Sequence, residues 1–100
     1  MKRILRSSGV DQSTGTTIYT VPPGETASVE GLRFVVSNLP TDVTVSHFVD
    51  ATGVTTTYTM HLNASDQMSD DTVFALAEND YVKVQSSAAG VTYYANITIP

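Results

Sequence analysis

The alternation of apolar and polar residues in the last third of the chain limits the fold more than any other feature of the sequence. Apolar side chains occupy every second position through residues 81–85 and again, over a longer stretch, through residues 91–99. Successive side chains of a strand point to opposite faces of a sheet, so each run predicts a half-buried strand. The two runs therefore predict two strands that each turn one face toward a core.

A connection of four residues, 87–90, joins these strands and ends in Gly90. An even-length loop places the two apolar sets on one face of a hairpin. Glycine in the last loop position can adopt positive φ without steric cost. We therefore expect an antiparallel hairpin, and its cross-strand pairs are Val84 with Tyr93 and Val82 with Ala95.

The same loop pattern occurs at residues 50–53, where Gly53 is last. Alternating residues flank it on both sides, as in the C-terminal stretch. This pattern predicts a second hairpin, with Val49 opposite Val54 and Val45 opposite Tyr58.

The strand that we expect between residues 26 and 36 changes phase in its middle. Its apolar residues fall into two sets, and the switch between them lies at Glu30 and Gly31. One extra residue in the strand, a β-bulge, would explain the change, and two separate short strands would explain it as well. The two sets are Ala27 and Val29, then Leu32, Phe34 and Val36.

Composition agrees with strands throughout. The chain has 100 residues, which is enough for one core but not for two. Fifteen threonines, thirteen valines and four isoleucines make about a third of the chain β-branched, and such residues favour strands over helices. We predict an all-β protein, a single antiparallel β-sandwich of jelly-roll type with about seven to eight strands.

The charges are divided unevenly along the chain. Residues 1–10 hold three cations and no acid, and residues 11–100 hold ten acids and two cations, which together give a net charge of −5. We expect residues 1–15 to form an extended N-terminal arm and residues 16–100 to form the sandwich. The arm either docks on an acidic neighbouring subunit or is a loose terminus with incidental charge. An acidic body disfavours partners that bind through phosphate, so neither nucleic acid nor an anionic membrane is expected.

Reactive residues are few, and their positions argue against catalysis or metal binding. The sequence has no cysteine, and His47 and His61 fall in opposite strand phases, so one metal ion is not expected to bind both. Asp66, Asp70 and Asp71 share a polar loop without the glycine of a calcium-binding EF-hand, which favours a solvated loop over a cation site. Neither histidine lies near a nucleophile motif, so we expect no enzyme activity and no cofactor.

Two tyrosines occupy the polar phase of the C-terminal strands. Tyr81 and Tyr94 should point outward if their neighbours Val82 and Tyr93 point inward. Exposed tyrosines suit a partner contact or a platform for stacking sugars. The alternative is that a second layer covers both faces of these strands.

Several stretches resemble a module of small β-sandwich proteins in the particles of tailed bacteriophages. One strand ends in the pattern Y-T-V-P-x-G (residues 19–24), and a later strand ends in x-N (residues 35–38). A strand of the pattern L-x-x-x-D-x-V-x-V (residues 76–84) then precedes S-A-A-G-V (residues 87–91). The similarity spans residues 16–99. The module usually has glycine where this chain has Asn79, a residue that also tolerates left-handed backbone geometry.

The resemblance implies a non-enzymatic structural protein of the virion, made in the host cytoplasm. A capsid cement or decoration protein is the expected role, with the major capsid protein or other virion subunits as partners and many copies per particle. A neck or tail accessory, or a carbohydrate-binding module that uses Tyr81 or Tyr94, is the alternative. We expect partner contacts at the arm and at the two tyrosines, namely Lys2, Arg3, Ile4, Leu5, Arg6, Tyr81 and Tyr94.

Overall fold

The computed structural model describes residues 2–37, 40–63, 65–70 and 73–100. Within these residues the chain forms nine β-strands and no helix, and hence no helix long and apolar enough to span a membrane. Met1, Asn38 of the x-N pattern and Asp71 of the acidic loop lie outside the described residues. The strands are β1 (Lys2–Gly9), β2 (Thr16–Thr20), β3 (Ala27–Val36), β4 (Thr41–Val49), β5 (Val54–Leu62), β6 (Gln67–Asp70), β7 (Phe74–Leu76), β8 (Tyr81–Ser86) and β9 (Val91–Ile99).

The strands form two antiparallel sheets that face each other. The first sheet has the order β1-β9-β3-β6, with β7 also paired to β3, and the second has the order β2-β8-β4-β5. Except at the β4–β5 hairpin and from β6 to β7, consecutive strands belong to different sheets, which is the connectivity of a jelly roll. The predicted β-sandwich of jelly-roll type is therefore confirmed, with nine strands among the described residues instead of the seven to eight expected.

The core lies between the sheets and is filled from both sides by alternating residues. Burying a large apolar side chain completely contributes about 1.5–3 kcal/mol, so this double layer is the main source of stability. Fully buried residues include Val29, Phe34 and Ile97 from the first sheet and Val43, Val45, Val82 and Val84 from the second.

The phase change in β3 is a bulge. In the pairing of β3 with β9, Val29 lies opposite Ile97 and Gly31 opposite Asn96, and the register shifts between Val29 and Gly31. Glu30 is thus the extra residue, and β3 continues through it as one strand. The alternative of two separate strands is excluded.

The hairpin predicted around residues 50–53 is confirmed. Val49 pairs with Val54 and Val45 with Tyr58. Gly53 adopts a φ of +68°, as its position in the turn requires.

The hairpin predicted around residues 87–90, between β8 and β9, is wrong. Val84 pairs with Val45 of β4, and Tyr93 pairs with Phe34 of β3, so the two strands lie in different sheets. Residues 87–90 cross from one sheet to the other. Because both strands turn their apolar residues toward the same core from opposite sides, the alternation fits either arrangement.

The motif L-x-x-x-D-x-V-x-V has a structural explanation in the loops at one end of the sandwich. The buried carboxylate of Asp80 accepts hydrogen bonds from the backbone N–H groups of Asp50 at 2.9 Å and Ala77 at 3.0 Å. Asn79 adopts a φ of +66°, the left-handed geometry expected of it. The motif therefore fixes a turn and ties two loops together.

Residues 2–9 belong to the sandwich itself. They form β1, which pairs with β9 from Lys2 opposite Ile99 to Gly9 opposite Thr92. Ile4 packs against the core. The residues that we expected to extend from the domain as an arm are therefore an edge strand of the first sheet.

The connection that follows β1 is an ordered turn. Val10 is buried, and the Asp11 carboxylate accepts hydrogen bonds from the Ser13 hydroxyl at 2.8 Å, the Ser13 N–H at 2.9 Å and the Thr14 N–H at 3.2 Å. These bonds, that of the Ser13 hydroxyl above all, hold the pKa of Asp11 below its ordinary value. The linker composition of residues 9–15 thus reflects turn formation.

Candidate binding groove

The outer face of the first sheet carries a row of polar side chains at matched positions of four strands. Ser7 of β1 lies opposite Tyr94 of β9, Tyr94 opposite Arg33 of β3, and Arg33 opposite Ser69 of β6. Residues directly opposite each other in an antiparallel sheet share a face. The register therefore gathers these four side chains from distant parts of the sequence.

A neighbouring row contains a gap that makes this face concave. Leu5 lies opposite Asn96, and Asn96 lies opposite Gly31, which has no side chain. The bulge at Glu30 places the glycine in this row, and the result is a groove of about 560 Å³. We call it the β3–β9 groove, and its lining includes Leu5, Ser7, Glu30, Arg33, Ser69, Tyr94 and Asn96.

Arg33 is held in place by an aromatic ring. Its guanidinium carbon lies 4.5 Å from the centroid of the Tyr94 ring, which is a cation–π contact. Among the described residues it has no hydrogen-bond acceptor or acidic partner. The N–H groups of Arg33 are therefore available to an incoming ligand.

Glu30, the acid that lines the groove, is already engaged. Its carboxylate oxygens accept hydrogen bonds from the Ser28 hydroxyl at 3.1 Å and the Thr98 hydroxyl at 2.9 Å. These contacts hold the carboxylate on its own side of the groove. Among the described residues, Arg33 therefore forms no ion pair with Glu30.

The residues predicted to contact partners fall in four different places. Leu5 and Tyr94, with 75% and 41% of their surfaces exposed, lie on the outer face of the first sheet. Ile4 instead packs toward the core, and Tyr81 lies in the second sheet. The remaining predicted contacts, Lys2, Arg3 and Arg6, are exposed side chains on β1.

The two tyrosines do not form one surface. Tyr81 stacks on Phe48, with ring centroids 4.9 Å apart, on the outer face of the second sheet. Tyr94 lies on the outer face of the first sheet, beside Arg33. Both point away from the core, as predicted, but toward opposite sides of the molecule.

Arg6 is directed toward the sandwich edge. Its guanidinium carbon lies 5.4 Å from the centroid of the Tyr19 ring. Burial raises the pKa of the nearby Tyr93, and the positive charge of Arg6 opposes this rise only in part. Arg6 therefore covers the rim of the core.

The histidines lie in opposite phases of the second sheet. His47 packs edge-on against Phe74 with centroids 5.5 Å apart, and its buried Nε2 has no hydrogen-bond partner among the described residues. His61 is exposed, with its Nδ1 2.7 Å from the Asp42 carboxylate. The described part of the chain has no group of three or more potential ligands placed to hold a metal ion.

Three of the residues that line the groove, Leu5, Arg6 and Tyr94, are among those predicted from the sequence to contact partners, and the others were missed. Arg33 could have been noticed as one of only two cations outside the first ten residues. No local pattern, however, signals that Arg33, Ser7 and Asn96 meet, because the strands that carry them are far apart in sequence.

Comparison with known proteins supports the fold. No protein-family model matches the sequence, and no curated protein matches it either. A solved structure described as "Bacillus endospore appendages form a novel family of disulfide-linked pili" is similar over 98% of this chain and 82% of that chain, with 20% sequence identity and a TM-score of 0.62. A second, "Family 16 Carbohydrate Binding Module-2", covers 99% of this chain and 70% of that chain at 19% identity, with a TM-score of 0.34. The pilus protein and this chain thus share the β-sandwich fold.

Proposed function

We propose that the protein is a non-enzymatic structural subunit of a multicopy assembly, joined to its neighbours through strand edges. In its finer form, the proposal is a decoration protein on the shell of a tailed bacteriophage, as the sequence resemblance implies. The single observation that carries the proposal is the open edge of β5.

Strand β5 ends the second sheet, and within the described part of the chain its strand partner is β4. Its nine residues, Val54–Leu62, contain no proline, lysine, arginine or acid, and the pairing with β4 shows no register shift. Soluble proteins commonly protect a long edge with charges, proline or bulges, because its free N–H and C=O groups otherwise pair with another strand. The β5 edge is therefore suited to pairing with a neighbouring subunit.

Strand β1, one edge of the first sheet, differs from β5 in its charge. Its eight residues include Lys2, Arg3 and Arg6, while the rest of the chain is strongly acidic. Such an edge suits an acidic neighbour, either a further copy or a shell protein. The two edges together give each subunit two distinct contact regions.

The shared fold is compatible with this role. The pilus protein is an example of a sandwich of this kind in an appendage. This chain has no cysteine, so its assembly would not depend on disulfide bonds, in contrast to disulfide-linked pili.

A charge-matched pair of double variants tests the role of β5. Thr55→Lys with Thr57→Lys places two cations on the edge, whereas Thr14→Lys with Thr26→Lys adds the same charge in exposed connections. Light scattering coupled to size exclusion should show oligomers for the wild type and for the connection variant. The edge variant should form oligomers only at a protein concentration at least about tenfold higher than the wild type needs, since like charges on paired strands repel. A wild type that is monomeric even at about 1 mM, where an interface of about 4 kcal/mol would be detected, contradicts the proposal.

The virion role has its own test. Mass spectrometry of purified particles from an infected culture should detect the protein, and its copy number separates the alternatives. Hundreds of copies indicate the shell, and a dozen or fewer indicate a neck or tail accessory. If the protein is absent from mature particles, the virion role is contradicted. Assembly through the β5 edge is tested separately by the double variants.

A further inference from the structure

We propose that the β3–β9 groove binds a carboxylate-bearing sugar, such as a uronic acid unit of an acidic polysaccharide. This proposal is independent of assembly through β5, because the groove lies on the outer face of the other sheet. It rests on Arg33, which has no ion-pair partner among the described residues, on the polar and apolar groups around it, and on the pairing of β9 on both sides in the middle of the groove.

Arg33 supplies the recognition of negative charge. A guanidinium presents a planar fork of N–H donors that matches a carboxylate. The cation–π contact with Tyr94 restricts the side chain before any ligand arrives, which lowers the entropy lost on binding. Since Glu30 is bonded to two hydroxyls, a ligand carboxylate does not have to displace an existing ion pair.

The rest of the groove suits a sugar ring. Asn96, Ser7 and Ser69 line it with amide and hydroxyl groups, which can bond to sugar hydroxyls in either direction. The exposed parts of Tyr94 and Leu5 offer apolar surface to the C–H groups of the ring. Its volume of about 560 Å³ falls in the range of roughly 300–1,000 Å³ typical of small-ligand sites.

The position of the groove favours a sugar over a peptide. Extended peptides bind largely through main-chain hydrogen bonds to a free strand edge. The middle of this groove is formed by β9, which is paired on both sides, with β1 and with β3. The N–H and C=O groups of β9 are used within the sheet, so a ligand that lies over β9 must be recognised there by side chains.

Titration with trigalacturonic acid, followed through backbone amide NMR signals, tests the proposal. We expect shifts centred on residues 94–96 and 31–33. Arg33→Gln should weaken binding about tenfold or more, because a charge-assisted hydrogen-bond pair is lost. Arg3→Gln is the matched control: it removes the same charge from an exposed residue of β1 that does not line the groove. Affinity should then stay within about twofold, since an exposed charge outside the site contributes little.

Two further probes separate the carboxylate and the sugar as sources of affinity. The fully methyl-esterified trisaccharide should bind much more weakly, and a hexaglutamate peptide should leave the groove signals unshifted. The proposal is overturned if trigalacturonic acid causes no shifts, if the ester binds equally well, or if both arginine variants lose affinity alike. Binding of the peptide with equal affinity would assign the groove to acidic peptides instead.

Discussion

Two glycines with similar backbone geometry differ in what surrounds them. Gly15 and Gly24 have φ values of +79° and +81°, which side-chain-bearing residues rarely adopt. A Cβ on Gly15 would lie 2.6 Å from Cε of Lys83 and 2.9 Å from the backbone oxygen of Val84. A Cβ on Gly24 would meet no heavy atom within 4 Å. Only Gly15 is therefore required for packing as well as for backbone geometry.

This contrast predicts different costs for the same substitution. Gly24→Ala should lower the free energy of unfolding by about 1–2 kcal/mol, the cost of left-handed geometry alone. Gly15→Ala should cost at least about 1 kcal/mol more, because relieving the clash requires the backbone of β8 to shift. Urea unfolding of the two variants measures the difference in their free energies of unfolding. Equal losses would show that the backbone of β8 shifts at little energetic cost.

Some single-residue features depend on local backbone chemistry, and others depend on how distant strands pair. The left-handed Asn79 and the turn of Gly53 follow from local backbone chemistry, which a few neighbouring residues determine. The contact between Arg33 and Tyr94 depends on the register of β3 against β9, about sixty residues apart in the sequence. Sequence patterns specify the first kind and leave the second open.

At the level of whole strands, the sequence likewise predicts local features but not which strands pair. Alternation predicts which side chains of β8 and β9 face the core, and Val84 and Tyr93 do so. It does not specify which of two facing sheets a strand joins, because both sheets enclose the same core. Four-residue connections ending in glycine make a hairpin after β4 and a crossing after β8, so loop length does not decide between them either.

The bulge in β3 leads to a prediction about deletions. Removing Glu30 joins the two apolar sets into one regular alternation, so Val29 and Leu32 should both remain buried. The expected loss is below about 2 kcal/mol, mainly from the hydrogen bonds to Ser28 and Thr98.

Deletion of Arg33 is the matched control in the same strand. It makes Leu32 and Phe34 consecutive, so one of these buried side chains must turn toward solvent. We expect a loss of at least about 3 kcal/mol, comparable to truncating a buried aromatic residue. If urea unfolding shows that removing Glu30 costs as much as removing Arg33, the bulge is not the element that joins the two phases.

At the level of the whole molecule, β1 is the part that the sequence described least well. Its residues resemble a charged terminus because seven of its eight residues are exposed and only Ile4 is half-buried. An edge strand whose inner face lies at the rim of the core needs little apolar alternation. What holds it is pairing with β9, which no property of residues 2–9 alone reveals.

Removing residues 2–9 therefore distinguishes a strand from an appended arm. A loose arm could be deleted without effect on thermal unfolding. Loss of β1 instead exposes the edge of β9, and we expect a loss of at least about 2 kcal/mol, which lowers the Tm by roughly 8–16 °C for a domain of this size.

The triple variant Lys2→Gln, Arg3→Gln and Arg6→Gln separates pairing from charge in this experiment. It removes the three cations but keeps the strand, and exposed charges contribute little, so its Tm should stay within roughly 5 °C of the wild type. A synthetic peptide of residues 2–9, added to the truncated protein, should restore part of the lost Tm by pairing with β9. If truncation leaves the Tm unchanged, or the triple variant falls as far as the truncation, pairing of β1 with β9 is not what stabilises this edge of the sandwich.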